Sequence, residues 1–275
     1  MNTKNFLGIP EIDPRDAMAV ILPVPFEEST SYGQGTKNGP EAILGASGQV
    51  ELFDPAIGDE IQNVVKIATA PERITARPEM SAGAEKYVDK FLISLGGEHS
   101  ITPELIKPFL KKYPDLSVLQ IDAHTDMRDE WEGSRDSHAC AMRRTQELGI
   151  KNIVQVGIRN TAKEEQQFLV KENIFWGDKF DIDEVLARLS DHVYLTFDVD
   201  GLDVSIMPAT GTPEPGGISY QQALDLMRAV CQNKNVVAAD FVELAPIQGM
   251  QAYDFLVAKL VYKLIQYKFI KGHAK

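Results

Sequence analysis

Four short stretches of this chain place carboxylates and imidazoles at spacings that suit metal chemistry. They are Gly96-Gly97-Glu98-His99-Ser100, Asp122-Ala123-His124-Thr125-Asp126, Asp198-Val199-Asp200-Gly201-Leu202-Asp203 and a segment ending at Glu243. In an extended backbone, residues two apart point to the same side, so Asp122, His124 and Asp126 can converge on one point, as can Asp198 and Asp200. Carboxylates gathered in this way repel one another and raise each other's pKa unless a cation neutralises them. Two imidazoles with several carboxylates and no thiolate suit a hard to borderline ion such as manganese, and fit zinc or iron less well. If some oxygens bridge, the donors outnumber what one ion needs, so two ions about 3.5 to 4 Å apart are expected.

Each stretch also has an ordinary reading. Asp-x-His-x-Asp can cap or pair, and GGEHS can be a turn beside a core histidine. DVDGLD resembles part of a calcium loop but lacks a later bidentate Glu at loop spacing. Their position sets them apart, because each follows a short apolar run. The runs at 17–22, 91–95, 116–121, 153–156, 193–197 and 236–239 read as buried strands. Helix candidates alternate with them at 40–45, 82–90, 102–112, 139–148, 162–171, 183–189, 220–230 and 251–267. Thr102, ahead of Pro103, and Ser219 are expected to cap their helices. Strands alternating with helices predict a mostly parallel sheet covered on both faces, with ligands outside the carboxyl ends of its strands.

The chain has 275 residues, 44% of them hydrophobic, with no repeat, low-complexity tract or linker, and is expected to form one domain over 1–275. Its 28 basic and 40 acidic residues give a net charge of −12, which repels nucleic acid and suits a small cationic partner. The pairs Lys111-Lys112 and Arg143-Arg144 read as solvated helix faces. The N-terminus carries no apolar leader, and the stretch 255–265 is too short and too charged to span a membrane, so a cytoplasmic protein without a membrane partner is expected. Cys140 and Cys231 are expected to be reduced thiols. No phosphate-binding GxxxxGK[ST] or nucleophile-elbow GxSxG occurs, and the glycines of 33–39 lack dinucleotide spacing and suit a loop near the active face.

In this order, GGEHS, DAHTD and DVDGLD resemble the motifs of the ureohydrolase family, the manganese enzymes that include arginase and agmatinase. The resemblance begins at Ser31-Tyr32-Gly33 with Gly39-Pro40, includes Pro208-Ala209-Thr210-Gly211-Thr212-Pro213 and ends at Glu243. It implies a three-layer α/β/α sandwich with a mostly parallel central sheet, and a trimer or hexamer as the homo-oligomer. Two Mn(2+) ions are implied, one held by His99, Asp122, Asp126 and Asp198, the other by His124, Asp122, Asp198 and Asp200, with Asp122 and Asp198 bridging. His138 matches the proton-shuttling histidine, Glu243 the carboxylate that receives a guanidinium, and Thr212 a substrate-side threonine. Asp203-Val204 departs from the family's usual Asp-Pro, with an effect on loop shape expected. His192 and His273 receive no role.

With these ligands, two ions bring about +4 against about −4 from four carboxylates, and a bridging hydroxide with Glu243 leaves the site near −2, which suits a guanidinium. The implied reaction is metal-assisted hydrolysis. Hydroxide attacks the guanidinium carbon, Asp126 orients the nucleophile, and His138 delivers a proton to the departing amine. The loop Trp131-Glu132-Gly133-Ser134-Arg135-Asp136-Ser137-His138 places Asp136 two residues before His138, which suits an amine tail better than the carboxylate of arginine. The expected reaction is agmatine to putrescine and urea, in polyamine synthesis. N1-aminopropylagmatine follows as a substrate, then arginine and other guanidino acids. Two other classes stay open: a catalytically silent metal-binding subunit, and a deacetylase on the related fold with fewer ligands around one zinc.

Overall fold

In the computed structural model, which describes residues 5–55 and 57–270, the apolar runs become strands. In chain order the strands are β1 (Ala19–Val24), β2 (Phe53–Asp54), β3 (Asp59–Glu60), β4 (Ile67–Thr69), β5 (Phe91–Gly96), β6 (Ser117–Ile121), β7 (Ile153–Ile158), β8 (Ile174–Trp176), β9 (His192–Asp198) and β10 (Asn235–Val242), six of them on the expected runs. Eight of them form one sheet in the order β4-β1-β5-β10-β9-β6-β7-β8, and every neighbouring pair runs parallel. β2 and β3 form a small antiparallel pair of their own.

The helices are α1 (Gly39–Ser47), α2 (Ile61–Val64), α3 (Arg77–Glu85), α4 (Thr102–Lys112), α5 (Ala141–Glu147), α6 (Ile182–Arg188), α7 (Tyr220–Asn233) and α8 (Ala252–Phe269). Strand alternation sends side chains to two cores. Ile93 and Leu95 of β5 and Leu195 and Phe197 of β9 pack with Leu44 of α1, Val185 of α6, Met227 of α7 and Val261 of α8. Leu92 of β5 and Tyr194 of β9 face the other side, with Met80 of α3, Phe109 of α4 and Met142 of α5. The result is the expected three-layer α/β/α sandwich, its sheet buried on both faces as a parallel sheet requires.

The differences from the sequence reading have local causes. β4 and β8 were not anticipated, because each is a three-residue edge strand too short to show a period. The helix expected at 162–171 is instead two 3-10 turns, Lys163–Gln167 and Lys171–Asn173. There the buried Glu165 carboxylate accepts from Met127 N (2.8 Å), the Thr161 hydroxyl (3.1 Å) and Ala162 N. α3 begins at Arg77, five residues before the expected start. Ser219 caps α7 as expected, accepting from Gln222 N, whereas Thr102 makes no cap and sends its hydroxyl to Asp240 (2.9 Å). Cys140 and Cys231 are both free and buried. No helix among the described residues is long and apolar enough to cross a membrane. His273 and the start of the N-terminal segment lie outside the described residues.

Gly97 shows how tightly the strand ends are joined. Its N–H donates to Val24 O (3.0 Å) and its carbonyl accepts from Glu243 N (2.8 Å), tying the exits of β1, β5 and β10 together. A Cβ at this position would lie 1.9 Å from the Phe26 carbonyl oxygen, a backbone atom that no rotamer change can move. Gly97→Ala is therefore expected to cost about 2 kcal/mol and to lower the thermal midpoint by roughly 4–8 °C. Scanning calorimetry checks this, and an unchanged midpoint contradicts the close approach.

Candidate metal centre and substrate cleft

β5, β10, β9 and β6 are consecutive in the sheet, so the loops that follow them open onto one edge. Asp122 follows β6 directly, and its Oδ2 accepts from Gln120 Nε2 (2.7 Å) while its Oδ1 accepts from His124 N (2.6 Å). Asp198 ends β9, and its Oδ1 accepts from Asp200 N (2.9 Å) within the 3-10 turn Val199–Gly201. Asp200 Oδ1 in turn accepts from Ala123 N (2.9 Å), stitching the β6 and β9 exits together. Asp126 converges by a different route from the one expected, because its backbone is left-handed (φ 50) rather than extended. Met142 N and Arg143 N, at the start of α5, hold its carbonyl at 3.0 and 3.1 Å.

The six candidate ligands do come together. Two groups each offer three donor atoms within 4.8 Å of one another: His99 with Asp122 and Asp126, and His124 with Asp122 and Asp200. His99 Nδ1 faces Asp126 Oδ2 at 3.0 Å, Asp122 Oδ2 at 3.1 Å and Asp198 Oδ2 at 3.4 Å. His124 Nδ1 faces Asp200 Oδ2 at 3.0 Å and Asp122 Oδ1 at 3.6 Å. Asp122 thus turns one oxygen toward each group, and Asp198 turns Oδ2 toward His99 while its Oδ1 accepts from Asp200 N.

The donor set fits divalent cations. His99 Nδ1 is buried among carboxylate oxygens and has no hydrogen-bond partner among the described residues, an orphaned polar atom that an ion would satisfy. Electrostatics agree. Burial works against a charged His99, yet the carboxylates of Asp122, Asp126 and Asp198 outweigh it and hold the imidazole well above its ordinary pKa. His124, against the same burial, is pushed up to about 12 by Asp200 and Asp122. Burial and neighbouring carboxylates also push Asp126 upward and Asp198 well upward, while both imidazoles overcome burial to draw Asp122 down. The cluster lacks positive charge, and oxygen with imidazole donors suits manganese.

A cleft of about 140 Å³ opens over these groups. It is lined by His124, Asp126, Asp198 and Asp200, and by Thr212, His138 and Glu243, as the sequence indicated. Glu243 is also left-handed (φ 65); its Oε1 accepts from His99 N at 2.6 Å, leaving Oε2 for a ligand N–H. Burial, with the Glu98 and Asp200 charges, pushes its carboxyl well above the usual range. Thr212 Oγ1 reaches Asp200 Oδ2 at 3.5 Å, and Gly33 N bonds Gly211 O at 3.1 Å, placing the 33–39 loop beside the cleft.

The structure does not bring Asp136 to this cleft. Asp136 is exposed and lines a neighbouring cavity with Arg77, Lys107 and Arg144. A tight turn causes this: Trp131 and Ser134 exchange both backbone hydrogen bonds at 2.9 Å, with Glu132 (φ 50) and Gly133 (φ 82) left-handed. Trp131 and Arg128 line the cleft wall, where the guanidinium stacks 4.1 Å from the indole and pairs with Glu164. Sequence reasoning passed over Arg128 as a site residue because nothing in its spacing marks it. It also passed over Glu98, although that carboxylate sits within GGEHS. Glu98 Oε2 accepts from Glu28 N (2.7 Å) and Ser29 N (2.6 Å), and Oε1 from the hydroxyls of Ser29 (2.8 Å) and Ser100. Ser29 Oγ accepts in turn from His138 N (2.9 Å). His192 lies apart, paired with Asp115 at 2.8 Å.

Comparison with known proteins agrees with this geometry. The sequence profile described as the arginase family matches residues 17–266. The chain is 37% identical over 274 residues to an N(1)-aminopropylagmatine ureohydrolase of Synechocystis sp., covering 92% of this chain and 89% of that one. It is 36% identical over 249 residues to an agmatinase of Bacillus cereus, covering 84% and 85%. The structure of an agmatine ureohydrolase of Thermoplasma volcanium superposes with a TM-score of 0.82 at 27% identity, covering 98% of this chain and 95% of that one. The chain belongs to the arginase family, as an agmatinase-like hydrolase acting on guanidino compounds.

Proposed function

We propose that this hydrolase converts agmatine to putrescine and urea, a step of polyamine formation, at a pair of manganese ions. The ligands would be His99, Asp122, His124, Asp126, Asp198 and Asp200, with Asp122 and Asp198 shared. The observation that carries the reading is Glu243, anchored through one oxygen by His99 N–H and offering the other in the same cleft as both donor groups. A guanidinium keeps its charge at neutral pH and presents paired N–H donors, so a buried carboxylate there orients it face-on to the donor groups.

Two bound cations supply positive charge that neutralises the four aspartates and acidifies water. The chain's own groups do the rest. Asp126, on the cleft wall, accepts a hydrogen bond from the attacking water and fixes its direction. Glu243 holds the guanidinium plane, and Thr212 offers a hydroxyl at the same rim. His138 is held by its backbone N–H on Ser29 Oγ, with ring Nε2 3.5 Å from Ser31 Oγ at the cleft mouth. From there the imidazole passes a proton to the amine nitrogen as the C–N bond breaks. The similarity to the Synechocystis relative favours N1-aminopropylagmatine as a second reading; the reacting group is the same and only the tail differs.

Urea release from agmatine, N1-aminopropylagmatine, arginine and guanidinobutyrate, measured with manganese-loaded and metal-stripped protein, tests this directly. Metal-dependent urea from agmatine is expected. Turnover of the aminopropyl compound alone selects the second reading, and no urea from any of the four rejects both. Asp122→Ala is expected to lose metal, while His138→Ala keeps its metal and loses roughly a hundredfold or more in kcat. Full metal occupancy in the first, or full turnover in the second, removes that residue from its role. Glu243→Gln is expected to lower kcat/KM by roughly a hundredfold or more with metal retained.

Metal uptake should also depend on pH. The imidazole of His124, pushed up to about 12, carries a proton at neutral pH that a ligand must shed. Manganese affinity is thus expected to rise with pH, about tenfold per unit for each proton displaced. Calorimetry in buffers of different ionisation enthalpy reads the protons released, and none released would contradict the imidazole assignment.

A further inference from the structure

Asp240 lies in β10, three residues before Glu243, fully buried and without a part in the reaction described above. It is a carboxylate in an apolar strand, and three hydroxyls serve it. Thr196 donates to Oδ1 at 2.6 Å, and Thr102 and Tyr194 donate to Oδ2 at 2.9 Å each. Thr196 Oγ1 also lies 2.8 Å from His99 Nε2 and 3.4 Å from Thr102 Oγ1. We infer that Asp240, acting through Thr196, decides which ring nitrogen of His99 carries the proton and so prepares His99 Nδ1 as a metal ligand. The inference rests on the reading of His99 as a ligand.

The available protons fix the tautomer. A threonine hydroxyl has one, and Thr196 spends it on Asp240 Oδ1. Toward His99 Nε2 the same oxygen can therefore only accept, so Nε2 must carry the hydrogen. The lone pair of the neutral ring then sits on Nδ1, the atom that faces Asp122, Asp126 and Asp198. The opposite tautomer would set two lone pairs against each other at 2.8 Å and turn an N–H toward the incoming cation.

The three hydroxyls also require the ionised form of Asp240. A proton on either oxygen would oppose a hydroxyl hydrogen and force that hydroxyl to turn away, in a buried place where a lost hydrogen bond is costly. An amide in the same position removes the constraint. Its NH2 can donate to Thr196, whose proton is then free to turn toward His99 Nε2 and stabilise the wrong tautomer. Asp240 and Thr196 are thus positioning residues that touch neither ion nor substrate.

The test follows manganese binding by the loss of the free-ion electron paramagnetic resonance signal, in the full chain and without substrate. Thr196→Val removes the relay at nearly constant volume, and Asp240→Asn inverts it. Both are expected to weaken one of the two binding steps about 10- to 100-fold and to lose the exchange-coupled signal of an ion pair, while the other step changes less than threefold. Thr196→Ser, which keeps the hydroxyl, is expected to restore the weakened step and the exchange-coupled signal. Tyr194→Phe, which removes one of the three donors to Asp240 but leaves the Thr196–His99 contact in place, is expected to weaken that step less than Thr196→Val does. Wild-type affinities in Thr196→Val overturn the inference, as does equal weakening in Tyr194→Phe, which marks a merely structural role. Should Asp240→Asn fail to fold, Thr196→Val and its serine rescue decide alone. Wild-type protein that binds fewer than two ions instead rejects the dinuclear reading itself, so the two failures are distinct.

Discussion

Repulsion among buried carboxylates is the constraint on which the rest of this structure depends. Asp122, Asp126, Asp198 and Asp200 are all at most 7% exposed, and Glu243 joins them at the same depth. Burying charge without compensation costs several kcal/mol per group, against a total stability of about 5–15 kcal/mol for a whole protein. Two imidazoles supply part of the missing positive charge, which is why His99 and His124 are drawn so far upward. The upward displacement of Asp126, Asp198 and Glu243 shows that they do not supply all of it. The same shortage of positive charge suits the cluster to divalent cations and the cleft to a cationic group.

Such a cluster needs a frame that cannot relax apart. The parallel sheet provides one, because β5, β10, β9 and β6 are neighbours with both faces buried and their exits bonded to one another. Rigidity also sustains the left-handed residues Asp126 and Glu243, each worth of order 1–3 kcal/mol of backbone strain. Both take that conformation where the chain leaves the sheet and must aim a carboxylate back over it. The strain falls on two residues of the cleft, and the packed core below bears it.

Above this frame the loops are joined by polar contacts. The Arg77 guanidinium spans Ser100 O (2.8 Å) and Asp136 O (2.9 Å) and stacks 5.0 Å from the Phe26 ring. Glu98 gathers Glu28, Ser29 and Ser100 around one carboxylate. Together they hold the His138 loop against the exits of β1 and β5, so the imidazole at the cleft is placed by residues on three segments distant in sequence. Loops of this kind sit on a scaffold that tolerates their variation, which is how related enzymes on one fold come to differ in substrate tail.

Much of this was legible in the chain. Apolar runs of strand length, alternating with amphipathic ones, carried the layer architecture, and α4 spans the residues its pattern marked, Thr102–Lys112. The order and types of GGEHS, DAHTD and DVDGLD marked six candidate ligands, because a metal site demands particular atoms and strand ends deliver them in short segments. Three-dimensional contact decided the rest. Asp126 reaches the cluster through a left-handed turn rather than by strand alternation. Asp136 is turned out of the cleft by the tight turn at 131–134, and Arg128 and Trp131 line it. Asp240 reads as a stray charge in an apolar strand until Thr102, Tyr194 and Thr196 close around it from two other elements. Local spacing encodes what a backbone repeat can aim. The direction of a loop side chain, and the partner of a buried one, come from segments as far as 210 residues away that meet only when the sheet is assembled.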